Sequence, residues 1–190
     1  MIAAVSPARP NGPAPAAFTG TAWEIAASAA IAHAPYLKRL LSRREDLCID
    51  IDNAWPDRLV AEAIAQANAS ASAPPPLDEG MRMLRRAKDS VHLATAIADL
   101  AGAWPLTRVT QRLADFADAA LALAAREQGR LSGDDCGDEF GPVAGFSLIA
   151  MGKLGAGELN YSSDIDFSAF FDDETLSASG VREPRVAAVR

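Results

Sequence analysis

Residues 146–171 constrain this chain more than any other stretch: two short apolar runs flank a turn that carries three glycines and ends on a pair of aspartates. Phe146 to Met151 is apolar apart from Ser147, and Ile165 to Phe171 forms the second run; both have the length and composition of strands. Side chains alternate along a strand, so Asp164 and Asp166 are expected on one face. At a separation of ~6 Å and an effective dielectric of ~20 the two carboxylates repel by roughly 3 kcal/mol, which calls for a cation, a basic partner or a raised pKa. Hard oxygen ligands favour Mg²⁺, an ion that keeps waters and completes its shell with substrate phosphates. Such an ion neutralises charge that develops on a transferring phosphoryl group.

The glycines serve the same chemistry. They permit positive φ and close backbone approach, so amide N–H groups can turn towards phosphate oxygens. A helical turn over Gly155 to Asn160 would add its N-terminal amides. An isolated Asp-x-Asp or Gly-x-x-Gly-x-Gly occurs in many ordinary loops. The order strand, glycine turn, Ser-Asp-x-Asp, strand is far more restrictive and points to metal-dependent nucleotidyl transfer.

The residues before this stretch read as helices. Trp23 to His33 and Tyr36 to Arg44 form short helices separated by Pro35, and Pro56 opens a third that runs to about Ala69. Asn68 to Pro76 ends in three prolines and reads as a rigid loop. Met81, Leu84, Val91, Ala94, Ala98 and Ala101 recur at helical spacing, as do Leu106, Val109, Leu113, Phe116, Ala120 and Leu123 after the break at Gly102 and Pro105. These two stripes predict an antiparallel helical pair, with Arg82, Arg85 and Arg86 on a solvated face. Alanine supplies much of the apolar content and buries little area per residue, which suits close-packed helices. Met1 to Gly20 reads as a flexible start, residues 21–127 as the helical region, Gln128 to Gly145 as a polar linker and residues 146–190 as part of a further domain.

A formal charge of −7 argues against a nucleic-acid groove, which needs a basic stripe. Cys48 and Cys136 stand far apart without neighbouring ligands, and His33 and His92 lie in alanine-rich helical patterns. Reduced thiols and structural histidines are expected, with neither a disulfide framework nor a zinc site. The acidic run Asp134, Asp135, Asp138 and Glu139 lacks the spacing of a calcium loop. No secretory signal and no apolar run of bilayer-spanning length is evident, so the expected location is the cytoplasm, without membrane contact.

Met151 to Asp166, Met-Gly-Lys-Leu-Gly-Ala-Gly-Glu-Leu-Asn-Tyr-Ser-Ser-Asp-Ile-Asp, resembles the signature of the bifunctional glutamine synthetase adenylyltransferase/adenylyl-removing enzymes, within the DNA polymerase β-like nucleotidyltransferase superfamily. Met81 to Gly102 more loosely resembles the helical segment that precedes the site in that family. The Met-Gly-Lys-Leu-Gly and Glu-Leu-Asn wording is similar to the N-terminal, adenylyl-removing copy of the two nucleotidyltransferase domains. The resemblance implies an α+β protein that acts by phosphorolysis of adenylyl-tyrosine on glutamine synthetase, releasing ADP. It implies Asp164 and Asp166 as Mg²⁺ ligands and catalytic carboxylates. Gly152, Gly155, Gly157 and Ser163 become the phosphate-contacting turn, with Lys153 a candidate to add positive charge. Glu158 and Asn160 would brace the turn. The implied partners are glutamine synthetase, adenine nucleotide, phosphate and, through segments not in this sequence, the PII signal protein. The family's third carboxylate comes from a later strand; neither Asp172, Asp173 and Glu174 nor Glu183 suits that role, so the expectation is a partial site, inactive alone. Two alternatives stand beside this reading: a uridylyltransferase acting on PII, whose motif has Phe-Pro-His where this chain has Asn160-Tyr161-Ser162, and a noncatalytic helical binding fragment.

Overall fold

The structure is a computed structural model that describes residues 21–48, 52–72, 75–131 and 146–178. Five helices come first: α1 (Thr21–His33), α2 (Pro35–Arg43), α3 (Trp55–Ser72), α4 (Leu77–Leu100) and α5 (Leu106–Leu131), with a single 3-10 turn at Glu45–Leu47 between α2 and α3. Then follow β1 (Phe146–Ala150), a four-residue helical turn α6 (Gly152–Gly155), β2 (Phe167–Phe171) and a short α7 (Asp173–Ala178). The fold is α+β, mostly helical, as the sequence predicts. The regions expected to be a flexible start and most of the polar linker lie outside the described residues, as does Cys136, although α5 continues to Leu131, into the expected linker.

Small side chains let α3, α4 and α5 pack closely. Ala63 and Val60 of α3, Ala87, Val91, Ala94 and Ala98 of α4, and Val109, Leu113 and Phe116 of α5 form one core. The predicted stripes hold where the helices meet and fail at their ends: Met81 and Leu106 are exposed. Gly102 adopts φ +67°, which lets Ala103 N–H reach back to the Ala98 carbonyl at 2.9 Å and stops α4.

A second core seats α1 and α2 on α4 through Ala27, Leu40, Leu41, Trp55, Leu93 and Ile97. Trp55 donates its indole N–H to the Leu47 carbonyl at 2.7 Å, which satisfies the polar edge of a buried ring. Arg44, almost buried, donates to Asp46 and to the Arg86 carbonyl, fastening the end of α2 to α4. Arg82, Arg85 and Arg86 are exposed, as expected. Cys48 is buried, and burial pushes its thiol up to about 11, in keeping with an inert reduced cysteine.

β1 and β2 pair antiparallel, Phe146 opposite Phe171 and Ala150 opposite Phe167. One face of this pair carries Phe146, Leu148, Phe167 and Phe171, while Ile149 and Phe170 lie on the other. Ile149, Phe167, Phe170 and Phe171 are all exposed.

Candidate functional site

The glycine turn is folded as a sharp helical corner at the end of β1. Its helical part is Gly152–Gly155, three residues earlier than the Gly155 to Asn160 turn that the sequence suggests. The reason lies in the first glycine. Gly152 adopts φ +53°, a conformation that reverses the strand at once and that other residues take only with strain. Gly157, with φ +69°, then closes the corner, and the Glu158 N–H returns to the Lys153 carbonyl at 2.8 Å.

Each glycine also makes room for a different neighbour. A Cβ on Gly152 would stand 3.0 Å from Asp166 Oδ2, so the carboxylate occupies the space that the missing side chain leaves. On Gly155 it would stand 2.6 Å from the Ala150 carbonyl oxygen, and on Gly157 2.9 Å from Gln111 Oε1 of α5. The turn is therefore pressed against β1 on one side and α5 on the other. Leu154 and Leu159, both buried, drop from the turn into the core shared by α3, α4 and α5.

After the turn, Asn160 braces the approach to the aspartates, as expected of it. Its side-chain carbonyl accepts from Ser162 N–H at 3.0 Å and from Ser163 Oγ–H at 2.9 Å, and Ser163 N–H donates to its main-chain carbonyl at 3.1 Å. Glu158 contributes its backbone N–H to the corner.

β2 begins at Phe167, so Asp164 and Asp166 sit in the lead-in to the strand rather than within it. Met151 N–H donates to the Asp166 carbonyl at 2.8 Å, which extends the β1–β2 ladder by one rung and ties Asp166 to the start of the glycine corner. Asp164, Asp166 and Lys153 are exposed, and among the described residues neither aspartate is held in an ion pair. The structure thus brings Asp166 and Gly152 together, while Ser163 belongs to the braced Asn160–Ser163 segment and Asp164 follows it in the chain. No group of three or more metal-ligating side chains exists among the described residues.

Two features escape a reading of the sequence. Gln111 packs against Gly157, which nothing in the α5 periodicity marks. Tyr161 turns back onto α4: its hydroxyl donates to Asp99 Oδ2 at 3.4 Å, and its ring meets His92 edge-on at a centroid distance of 6.3 Å. Burial pushes the Tyr161 hydroxyl well above its ordinary range, and nearby Asp99 adds to the effect. His92 is held neutral, with its pKa lowered to about 4 by burial and then by Lys88. The aromatic partners of His92 were not legible in the sequence.

The comparisons agree with this signature. The family model for glutamate-ammonia ligase adenylyltransferase matches residues 25–189, and the chain belongs to that family. It is 44% identical over 165 residues to the bifunctional glutamine synthetase adenylyltransferase/adenylyl-removing enzyme of Caulobacter vibrioides, covering 84% of this chain and 17% of that protein. The enzyme of the same description from Bradyrhizobium diazoefficiens is 40% identical over 162 residues, 82% of this chain and 16% of its own length. The chain therefore spans about one sixth of the length of these relatives. No solved structure matches it. No helix among the described residues is long and apolar enough to cross a membrane.

Proposed function

We propose that residues 146–171 belong to the adenylyl-removing centre of a glutamine synthetase regulator, working in the cytoplasm by Mg²⁺-dependent phosphorolysis of adenylyl-tyrosine to release ADP. The observation that carries this reading is the Asp166 carboxylate lying over Gly152, at the corner where a strand turns into the glycine signature. An exposed carboxylate with no ion-pair partner among the described residues, with a second two residues away, is a donor set that suits a hard cation. Asp164 and Asp166 would hold it, and the bound ion would supply charge neutralisation at the phosphoryl group. The chain's own work is positional. Gly152, Gly155 and Gly157 let the backbone pass close to phosphate oxygens, Asn160 and Ser163 fix the segment that carries Asp164, and Lys153 contributes positive charge at the exposed corner. Removal rather than addition of the adenylyl group is favoured by the Met151-Gly152-Lys153-Leu154-Gly155 and Glu158-Leu159-Asn160 wording.

Adenylylated glutamine synthetase, phosphate and Mg²⁺ provide the assay, with the protein at the length of its relatives. ADP release that falls by about a hundredfold or more in Asp164→Asn and Asp166→Asn is the expected result. Unchanged activity in both variants excludes the assignment, and release of UMP from modified PII instead would favour a uridylyl-removing enzyme. Mn²⁺ binding to residues 1–190, followed by electron paramagnetic resonance, gives a readout independent of turnover and should weaken in the same variants.

A further inference from the structure

A cavity of about 570 Å³ opens between the start of α2, one face of α4 and the segment that precedes Asp164. Its polar lining consists of Tyr36, Lys88, His92, Asp99, Tyr161 and Ser162, and the rest of the lining is apolar. This is the size and make-up of a small-molecule site, an apolar hollow with a few polar groups that fix orientation. Three rings stand in sequence along it, Tyr36 to His92 at 5.9 Å and His92 to Tyr161 at 6.3 Å between centroids, both edge-on. Tyr36 and His92 are joined by a hydrogen bond of 3.3 Å, and Tyr161 is joined to Asp99, so the rings are already oriented.

The charges are placed at opposite ends. Lys88, His92 and Asp99 share one face of α4, and the eleven helical steps from Lys88 to Asp99 span about 16 Å along the helix. Asp99 uses Oδ2 for Tyr161, which leaves Oδ1 to accept from a ligand amino group. Lys88, at the other end, is an exposed ammonium. A ligand that fits this layout has a flat heteroaromatic ring with an amino group at one end and an anion at the other.

We propose that this cavity is a second nucleotide site, separate from the glycine turn, that takes an amino-purine mononucleotide with its base against His92 and Tyr161 and its phosphate towards Lys88. The proposal stands whether or not the adenylyl-removing reading holds, because it uses neither Asp164 nor Asp166.

Calorimetric titration of residues 1–190 with AMP, in the absence of divalent cations, tests it. Adenosine, UMP and inorganic phosphate serve as comparison ligands. AMP should bind saturably at one site, with UMP about tenfold weaker because it lacks the amino group. Lys88→Gln should weaken AMP about tenfold and leave adenosine almost unchanged, and Asp99→Asn should weaken both. Ala34→Trp, which fills part of the cavity, should abolish binding while circular dichroism stays that of the parent. Lys88 and Asp99 are exposed, so their variants decide the matter should Ala34→Trp fail to fold. Absence of saturable AMP binding overturns the proposal, as does binding that Lys88→Gln and Asp99→Asn leave intact. Loss of AMP binding in Asp164→Asn also overturns it, since the nucleotide would then sit at the glycine turn.

Discussion

A methyl group at position 152 would meet Asp166 Oδ2 at 3.0 Å on a backbone already at φ +53°. The neighbour is the end of a flexible side chain, so it can move aside, but it then leaves the place proposed for a metal ligand. Gly152→Ala should cost about 1 kcal/mol of stability for the positive φ, measured by urea denaturation, and should weaken Mn²⁺ binding more than that loss explains. Position 155 differs in kind. There the obstacle is the Ala150 carbonyl at 2.6 Å, which belongs to the β1 backbone, so Gly155→Ala should destabilise by about 2 kcal/mol or more in the same measurement. His92 sets a pH dependence. Tyr36, Lys88, Asp99 and Tyr161 line the cavity with it, and the folded protein keeps the ring neutral down to about 4, against 6.5 ordinarily. As pH falls from 6.5 towards 4 the unfolded chain takes up a proton that the folded chain refuses, so folding stability declines across that window and is highest above it. The His92 share of the loss by pH 5 is about 2 kcal/mol, and His92→Gln should remove that part of the slope in denaturation curves recorded at pH 7 and pH 5.

At the scale of elements, two leucines seat the turn on the helices. Leu154 and Leu159 enter the core formed by Val60, Val91, Ala94, Val109 and Leu113. Leu154→Ala should cost about 2–4 kcal/mol by loss of transfer energy and creation of a cavity. Limited proteolysis should then cut between β1 and β2 sooner than in the parent, because undocking the turn frees its backbone. The stripes of α4 and α5 were legible from their spacing, since helical periodicity alone selects Val91, Ala94, Ala98, Val109 and Leu113. Their ends were not, because exposure of Met81 and Leu106 depends on where the neighbouring helices stop. Gly152, Asp164 and Asp166 stand in one signature in the sequence, but the start of β2 at Phe167 was not legible there, since pairing with Ala150 fixes it.

Across the whole molecule, apolar surface is unevenly covered. The helical part hides its alanines and leucines in two cores, whereas the sheet leaves Ile149, Phe167, Phe170 and Phe171 exposed on its two faces. A two-stranded antiparallel pair with exposed aromatics is prone to pair with other chains. Residues 1–190 should associate with rising concentration in analytical ultracentrifugation, and Phe170→Lys should shift the distribution towards monomer; a parent that stays monodisperse at all concentrations would contradict this. The formal charge of −7 works against association at low salt, so added salt should promote it.

By itself the sequence determined the buried stripes of α4 and α5 and the order strand–turn–strand, because periodicity, glycine placement and short-range motif order are local properties. Only the tertiary structure decided that Asp166 fills the hollow over Gly152, that Gln111 meets Gly157, and that Tyr36, His92 and Tyr161 line one cavity. Those juxtapositions join residues up to 125 positions apart, from Tyr36 to Tyr161, and arise from the way Leu154 and Leu159 seat the turn on the helices. Local spacing carries no record of such packing.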